Sequence, residues 1–396
     1  MRTSVHHTMD DRGAIRLCAE SLKGQKDMGH PRIACVAALV CICAAAFAQQ
    51  VPAPTAEQEN PVLSHRLPGT PPSPLIREGK IHLDVVVTDS AGNPVTGLQP
   101  WDLKLFDNNQ SRKIQSFSAF SHAGVKPDPP VEIILLIDTA NLPFQQVAFV
   151  LGEIDKFLRQ NGGKLRQPLS LVLLTETGIK VQPRPSRDGN AIAKVLKGIS
   201  GHISFINPAM GGEGYLERFQ VSVKQLTAIA VNETRKPGRK LLIWVGPGWP
   251  LLNRPSDAFS DREQRRQFNS IVELSTRLRE ARIVLYSVAP MDTTADSGRF
   301  TTLYQKFLPA VTTPREANAG NLALKVLVTQ TGGQILGPNN NLAGQIDQCI
   351  DDADSFYRIS FDPPPTQHAD EYHSLKMQVG RPGVTVRTNV GYYDQP

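Results

Sequence analysis

The sequence predicts an α/β fold: a doubly wound, mainly parallel, Rossmann-like sheet, inserted in or flanked by a β-sandwich built from N- and C-terminal strands. Three observations carry this expectation. Five consecutive aliphatics, Ile133 to Ile137, end abruptly at Asp138, and a helical pattern follows. Such a run is buried on both faces, as in a parallel sheet between two helix layers. Similar runs recur at Lys240–Val245 and Arg282–Val288, with amphipathic stripes between them, the alternation that builds a parallel sheet. Finally, the stretches on either side of this block, 80–126 and 355–396, read as β-strands separated by turn residues.

At 396 residues the chain is long enough for two or three domains with a real core. Its 40% hydrophobic and 20% charged content is ordinary for a globular protein. The formal net charge of +6 is not gathered into a basic patch with interleaved aromatics, so nucleic acid is not an expected partner. Residues 1–48 read as a leader and signal peptide. Arg32 precedes an apolar run that closes on Ala46-Phe47-Ala48, a small-x-small cleavage site. The run is shorter than the ~18 residues that a membrane span requires. Cleavage after Ala48 would leave no transmembrane span, and Met28 is a plausible true start. The expected location is extracytoplasmic, secreted or periplasmic. Of the five cysteines, Cys18 lies upstream of the signal and Cys35, Cys41 and Cys43 lie within it. Cys349 falls on the apolar stripe Leu342, Ile346, Cys349, Ile350, Ala353 and reads as a buried structural thiol.

Residues 49–79 contain seven prolines among polar residues and read as an extended linker. In the block 80–126, strands are expected over Ile81–Asp89, Asp102–Asp107 and Ile114–Phe120. The block 131–354 follows the Pro127, Pro129 and Pro130 break. Val147, Leu151, Ile154 and Leu158 mark a helix that stops at Asn161-Gly162-Gly163. Leu169–Thr175 is a strand, with Ile179–Gln182 as its hairpin partner. Helices are expected over Ala191–Ile199, along the stripe Leu216, Phe219, Val223, Leu226, Ala230, along Phe268, Ile271, Leu274, Leu278, and over 320–331. Strands Gln334–Leu336, Phe356–Phe361, Ser374–Val379 and Val384–Val390 follow. Neither flanking block has enough strands to bury a two-sheet core, but together they supply about seven, the number of an immunoglobulin-like sandwich. Two independent β-units are the alternative.

The strand ending in Asp138, the Lys240–Val245 strand and the Arg282–Val288 strand, in that order and spacing, resemble a von Willebrand factor type A domain. Leu83-Asp84-Val85-Val86-Val87-Thr88-Asp89-Ser90-Ala91-Gly92-Asn93-Pro94 and the closing Arg381-Pro382-Gly383-Val384 to Gly391-Tyr392-Tyr393 resemble an acidobacterial VWFA-related family. The resemblance spans about residues 80–393 and implies architecture more than activity. It also implies a metal-adhesion motif at the carboxyl edge of the sheet: Asp-x-Ser-x-Ser, a later Thr, and an Asp after the fourth strand. Asp138 matches the first position. Ala140 and Leu142 stand at the two Ser positions, and Val245-Gly246-Pro247-Gly248 replaces the last Asp. The motif is degenerate. Thr139 and Asn141 could add oxygens, but Mg²⁺ demands well-ordered octahedral oxygen coordination, so no cofactor is the expectation and Mg²⁺ around Asp138, Thr139 and Asn141 the alternative.

Other constellations point to no catalysis. The mature chain lacks His-Glu-x-x-His, Gly-x-Ser-x-Gly and Cys-x-x-Cys. Gly211-Gly212-Glu213-Gly214 reads as a loop, and His368-Ala369-Asp370-Glu371-Tyr372-His373 as a solvated hairpin loop. Trp249, in Gly246-Pro247-Gly248-Trp249-Pro250, is either an outward interface anchor or a lid folded back over helix ends. The sequence thus favours a non-enzymatic, secreted or envelope-associated protein-binding module that uses Asp138, Asn141 and Trp249. A metal-dependent adhesion domain with atypical ligands around Asp138 is the second reading, and a secreted hydrolase the third.

Overall fold

The structure is a computed structural model describing residues 79–200, 212–249, 260–291, 303–365 and 368–394. All of them belong to the second of two compact units, residues 58–396. The leader, signal and most of the Pro-rich segment lie outside the described residues.

The central sheet grows from the apolar runs. Its strands are β5 (Glu132–Asp138), β6 (Lys164–Thr175), β7 (Gly178–Val181), β8 (Ser186–Asp188), β9 (Lys240–Val245), β10 (Ile283–Pro290) and β11 (Ile335–Asn339). They are ordered β11-β10-β9-β5-β6-β7, with β8 also paired to β6. The pairs from β11 through β6 are parallel, and β7 and β8 are antiparallel edges. Alternation along β5 supplies both faces. Ile133, Leu135 and Ile137 pack with helices α1 (Phe144–Arg159), α2 (Gly189–Ser200) and α6 (Leu342–Asp354). Ile134 and Leu136 pack with α3 (Gly212–Glu233), α4 (Asp261–Glu280) and α5 (Leu324–Gln330). Two-sided burial is what a parallel sheet requires.

Local chemistry sets the helix ends. The αL residues Asn161 (φ 51°) and Gly162 (φ 70°) turn the chain after α1. Ser260 and Glu263 form a reciprocal cap on α4. The helix expected over 320–331 is broken: a 3₁₀ turn over Ala319–Leu322 gives way to α5 at Ala323, whose ψ of 143° is extended. Cys349 is buried in α6, with its thiol pKa pushed well up by burial.

The flanking strands interleave. β1 (Ile81–Thr88) lies between β12 (Phe356–Phe361) and β14 (Thr385–Arg387), and β12 pairs on to β4 (Ser116–Phe120). In the second sheet β13 (Tyr372–Val379) lies between β15 (Gly391–Tyr393) and β2 (Leu103–Asp107), which pairs with β3 (Gln110–Arg112). Leu83, Val85, Val87, Leu105, Tyr357, Ile359, Phe361 and Tyr392 share one core. Each sheet has four strands, one more in total than the sequence count. The expected Val384–Val390 strand ends at Arg387, and a second short strand, β15, joins the other sheet.

A polar cluster ties the two sequence blocks inside this core. Asp107 on β2 is fully buried. It accepts a hydrogen bond from Tyr392 at 2.8 Å, and His373 Nδ1 lies at 2.8 Å with its ring stacked on Tyr392. His373 is therefore a buried strand residue and not part of a solvated loop.

Candidate functional site

Strand β5 delivers Asp138 to the carboxyl edge of the parallel sheet, where open α/β sheets form their crevice. The side chain is completely buried. Trp244, from the neighbouring β9, donates its indole N–H to Asp138 Oδ2 at 2.8 Å. Asn141 donates its backbone N–H to Oδ1 at 3.1 Å and its amide to Oδ1 and Oδ2 at 2.9 and 3.1 Å. The same amide donates to Ser222 Oγ on α3 at 3.1 Å. Thr139 turns away and donates its hydroxyl to the Leu174 carbonyl at 2.6 Å.

Burial pushes the Asp138 carboxyl up to about 6, against the opposing pull of the Asn141 and Trp244 donors and the charge of Arg218. Gly246 closes the edge. Its φ is +147°, and a Cβ there would lie 2.8 Å from Asp138 Cβ. The sequence signal for this close approach is the Gly246-Pro247-Gly248 run where the resemblance implied an Asp.

The donors on the Asp138 carboxylate are neutral, and Asn141 Oδ1 beside them is buried with no hydrogen-bond partner. The groups that reach the Asp138 oxygens are N–H donors, whose positive ends oppose a cation, whereas Mg²⁺ needs oxygen lone pairs. At the two Ser positions Ala140 and Leu142 are both buried in the helix layers. Among the described residues no group of three or more His, Cys, Asp or Glu side chains could hold a metal ion.

Of the residues singled out from sequence, the structure brings Asp138 and Asn141 together and sends Thr139 to the β6 backbone. Trp249 points inward. It is buried, donates its N–H to the Leu322 carbonyl at 3.2 Å, and packs edge-on against Trp244 with centroids 5.1 Å apart. It is the lid of the two alternatives, because an indole next to another buried indole gains more area inside than at a rim. Trp244 and Ser222 escaped the sequence reading, although Trp244 is the only aromatic in the Lys240–Val245 run.

Among the described residues this edge carries exposed large apolar side chains beside charged ones, Glu176, Glu217 and Arg218. Phe144 opens α1, Tyr215 and Leu216 sit in the first turn of α3, and Met291 follows β10. The topology carries all four to the same sheet edge, and each is at least 40% exposed. Leu216, expected on the buried helical stripe, is instead exposed. Gly212, Glu213 and Gly214 begin α3 and are not a loop. The Arg218 guanidinium lies 5.1 Å over the Tyr215 ring.

The fold and site define a type of architecture: a two-faced, mainly parallel α/β sheet joined to a sandwich of eight strands. No protein-family model matches the chain, and no curated protein matches it. Among solved structures it is similar to human COPII-coat protein Sec24c (TM-score 0.33, 9% identity, covering 67% of this chain and 44% of that one). It is also similar to manganese-loaded Plasmodium vivax TRAP (TM-score 0.31, 9% identity, 69% and 96% covered). A third similar structure is the pilus adhesin SpaC from Lactobacillus rhamnosus GG (TM-score 0.34, 10% identity, 76% and 48% covered). The chain spans less than half of the Sec24c and SpaC chains. Likeness at this level carries no statement about activity.

Proposed function

We propose that this chain is a secreted or envelope-associated, non-enzymatic protein-binding module. Its α/β block is of the von Willebrand type A kind with a degenerate, metal-free adhesion motif. One observation carries the reading: the carboxyl edge presents Phe144, Tyr215, Leu216 and Met291 to solvent while Asp138 is sealed beneath neutral N–H donors. Clustered exposed aromatic and aliphatic side chains are the material of interface hot spots. A buried carboxylate held by indole and amide groups is suited to shaping that surface and not to ligating an ion. Among the described residues no helix is long and apolar enough to cross a membrane.

The test is differential capture from envelope extract, using the intact chain and a Phe144→Asp/Leu216→Asp variant, with and without EDTA. A protein retained by the wild type, lost by the variant and indifferent to EDTA is the expected outcome. Equal capture by both proteins would remove the edge from the binding surface. Loss of capture in EDTA would restore the metal-dependent reading.

A further inference from the structure

Asp84 on β1 and Arg358 on β12 are cross-strand partners. Their neighbours Leu83, Val85, Tyr357 and Ile359 fill the sandwich core. The pleat therefore turns Asp84 and Arg358 to the opposite face, toward the amino edge of the parallel sheet. Two more guanidiniums arrive there: Arg239 immediately precedes β9, and Arg282, held at φ +54°, immediately precedes β10. Arg282 Nη2 donates to Asp84 Oδ1. Arg358 Nε lies 3.7 Å from the same oxygen, and Arg239 Nε lies 3.9 Å from Oδ2. Three guanidiniums thus share one carboxylate, a surplus of two positive charges. The next carboxylate, Asp352, is committed to Arg387 at 2.7 and 2.8 Å and to the Tyr286 hydroxyl at 2.7 Å. It offers the cluster only its backbone carbonyl, which accepts from Arg239 Nη1 at 2.5 Å.

Hydrogen-bonding capacity is left over as well as charge. Arg239 Nε, Arg358 Nε and Arg358 Nη2 are buried and make no hydrogen bond. Arg239 is 1% exposed. Buried cationic donors without partners are costly, yet the guanidinium planes are firmly held. Arg239 lies 4.4 Å over the Phe356 ring and Arg358 5.0 Å over the Phe120 ring, and the two rings touch at 4.9 Å. Stacking fixes the planes and leaves the N–H edges to be used. Burial and the charge of Arg282 lower the Arg358 pKa. Burial would raise Asp84, but Arg282, Arg239 and Arg358 hold it below its usual range. Lys240, next along the chain, donates its ammonium to the carbonyls of Glu233, Lys236 and Ala281, and the Glu233 and Glu132 carboxylates answer its charge.

We propose that this seam binds a small, doubly charged tetrahedral oxyanion of the phosphate or sulfate class. Arg282 and Arg358 are each about one-fifth exposed, at 20% and 22%, and Arg239 is buried against the same carboxylate. Guanidinium forks match the edges of such an anion, and its charge offsets the surplus. Because its ligands come from β12 and from the entrances of β9 and β10, the bound anion ties the sandwich to the α/β block. An anion that binds only the folded chain raises its melting temperature saturably.

The experiment is thermal unfolding of the full chain in chloride, sulfate and phosphate at matched pH and ionic strength. Millimolar anion concentrations keep general salt exclusion negligible. The expected result is a saturable rise in Tm with sulfate and phosphate and none with chloride. Arg358→Gln should abolish the rise. Asp84→Asn, which leaves all three guanidiniums without their carboxylate, should strengthen it and lower the half-saturating concentration several-fold. If Arg358→Gln fails to fold, the opposite sign required of Asp84→Asn still decides the matter. Equal Tm in all three salts overturns the proposal. A rise unchanged in both variants marks an adventitious ion only and overturns it as well.

Discussion

The Asp138–Trp244 contact makes a prediction with a definite sign. The buried carboxyl is raised from 3.8 to about 6. The folded chain therefore holds this proton more tightly than the unfolded chain. The stabilising contribution is complete below pH 3.8, falls as pH rises toward 6, and is gone above it. A shift of roughly 2 units corresponds to a loss of about 3 kcal/mol across that window. Glu132, also raised by burial, contributes a loss of the same sign, so the wild-type profile alone does not isolate Asp138.

Trp244→Phe isolates it. The substitution removes the N–H that donates to Asp138 Oδ2 and leaves a cavity in the layer shared with Trp249. The cavity costs about 1–3 kcal/mol at every pH. The lost hydrogen bond costs about 1.5–3 kcal/mol when its acceptor is ionised and about 1 kcal/mol when it is neutral. The variant should therefore be destabilised more at pH 7.5 than at pH 4.5, by about 0.5–2 kcal/mol. Urea unfolding followed by far-UV circular dichroism at the two pH values measures this, and background titrations common to both proteins cancel in the difference. An equal cost at both pH values would refute the buried, ionisable carboxylate and the role of the indole as its donor.

Three further outcomes follow from the same structure. Gly246→Ala places a Cβ 2.8 Å from Asp138 Cβ at φ +147° and should cost about 2–3 kcal/mol by chemical denaturation; a neutral result would show that the close approach is not real. Calorimetric titration with Mg²⁺ or Mn²⁺ at millimolar concentration should give no saturable heat, whereas heat abolished by Asp138→Ala would reinstate a metal site. Deleting 355–396 strips β1 of both neighbours, β12 and β14, and should expose Leu83 and Val85 to a hydrophobic dye; a monomeric product that melts cooperatively with an intact β-domain would contradict the shared core.

What the sequence makes legible is what local pattern determines. The Ile133–Ile137 run needed no partner to declare two-sided burial, and the abrupt Asp138 declared the sheet edge. Polar groups whose partners lie far along the chain were hidden. His373 stands in a charged stretch that looks solvated, and its partner Asp107 lies 266 residues away. Trp249 turns inward for a carbonyl 73 residues on. Leu216 continues the helical stripe, yet it is exposed. Lys240 and Arg282 read as the first residues of the strands Lys240–Val245 and Arg282–Val288, and Arg239 drew no reading. Their position at the entrances of two adjacent parallel strands was the available signal.

The two edges of the sheet solve opposite electrostatic problems. At the amino edge Arg239, Arg282 and Arg358 converge on one carboxylate, Asp84, and leave donors over. At the carboxyl edge a lone carboxylate is buried, and neutral N–H groups relieve it. Here the Trp244 indole N–H takes up one Asp138 oxygen. Under the proposed function, a partner engaging this edge would be held by apolar area around Phe144, Tyr215, Leu216 and Met291. Such binding depends weakly on salt, since area burial is not screened as exposed charges are. It also gives the negative heat-capacity change expected of apolar burial. Those two signatures would separate the proposed apolar binding from an ion-bridged one.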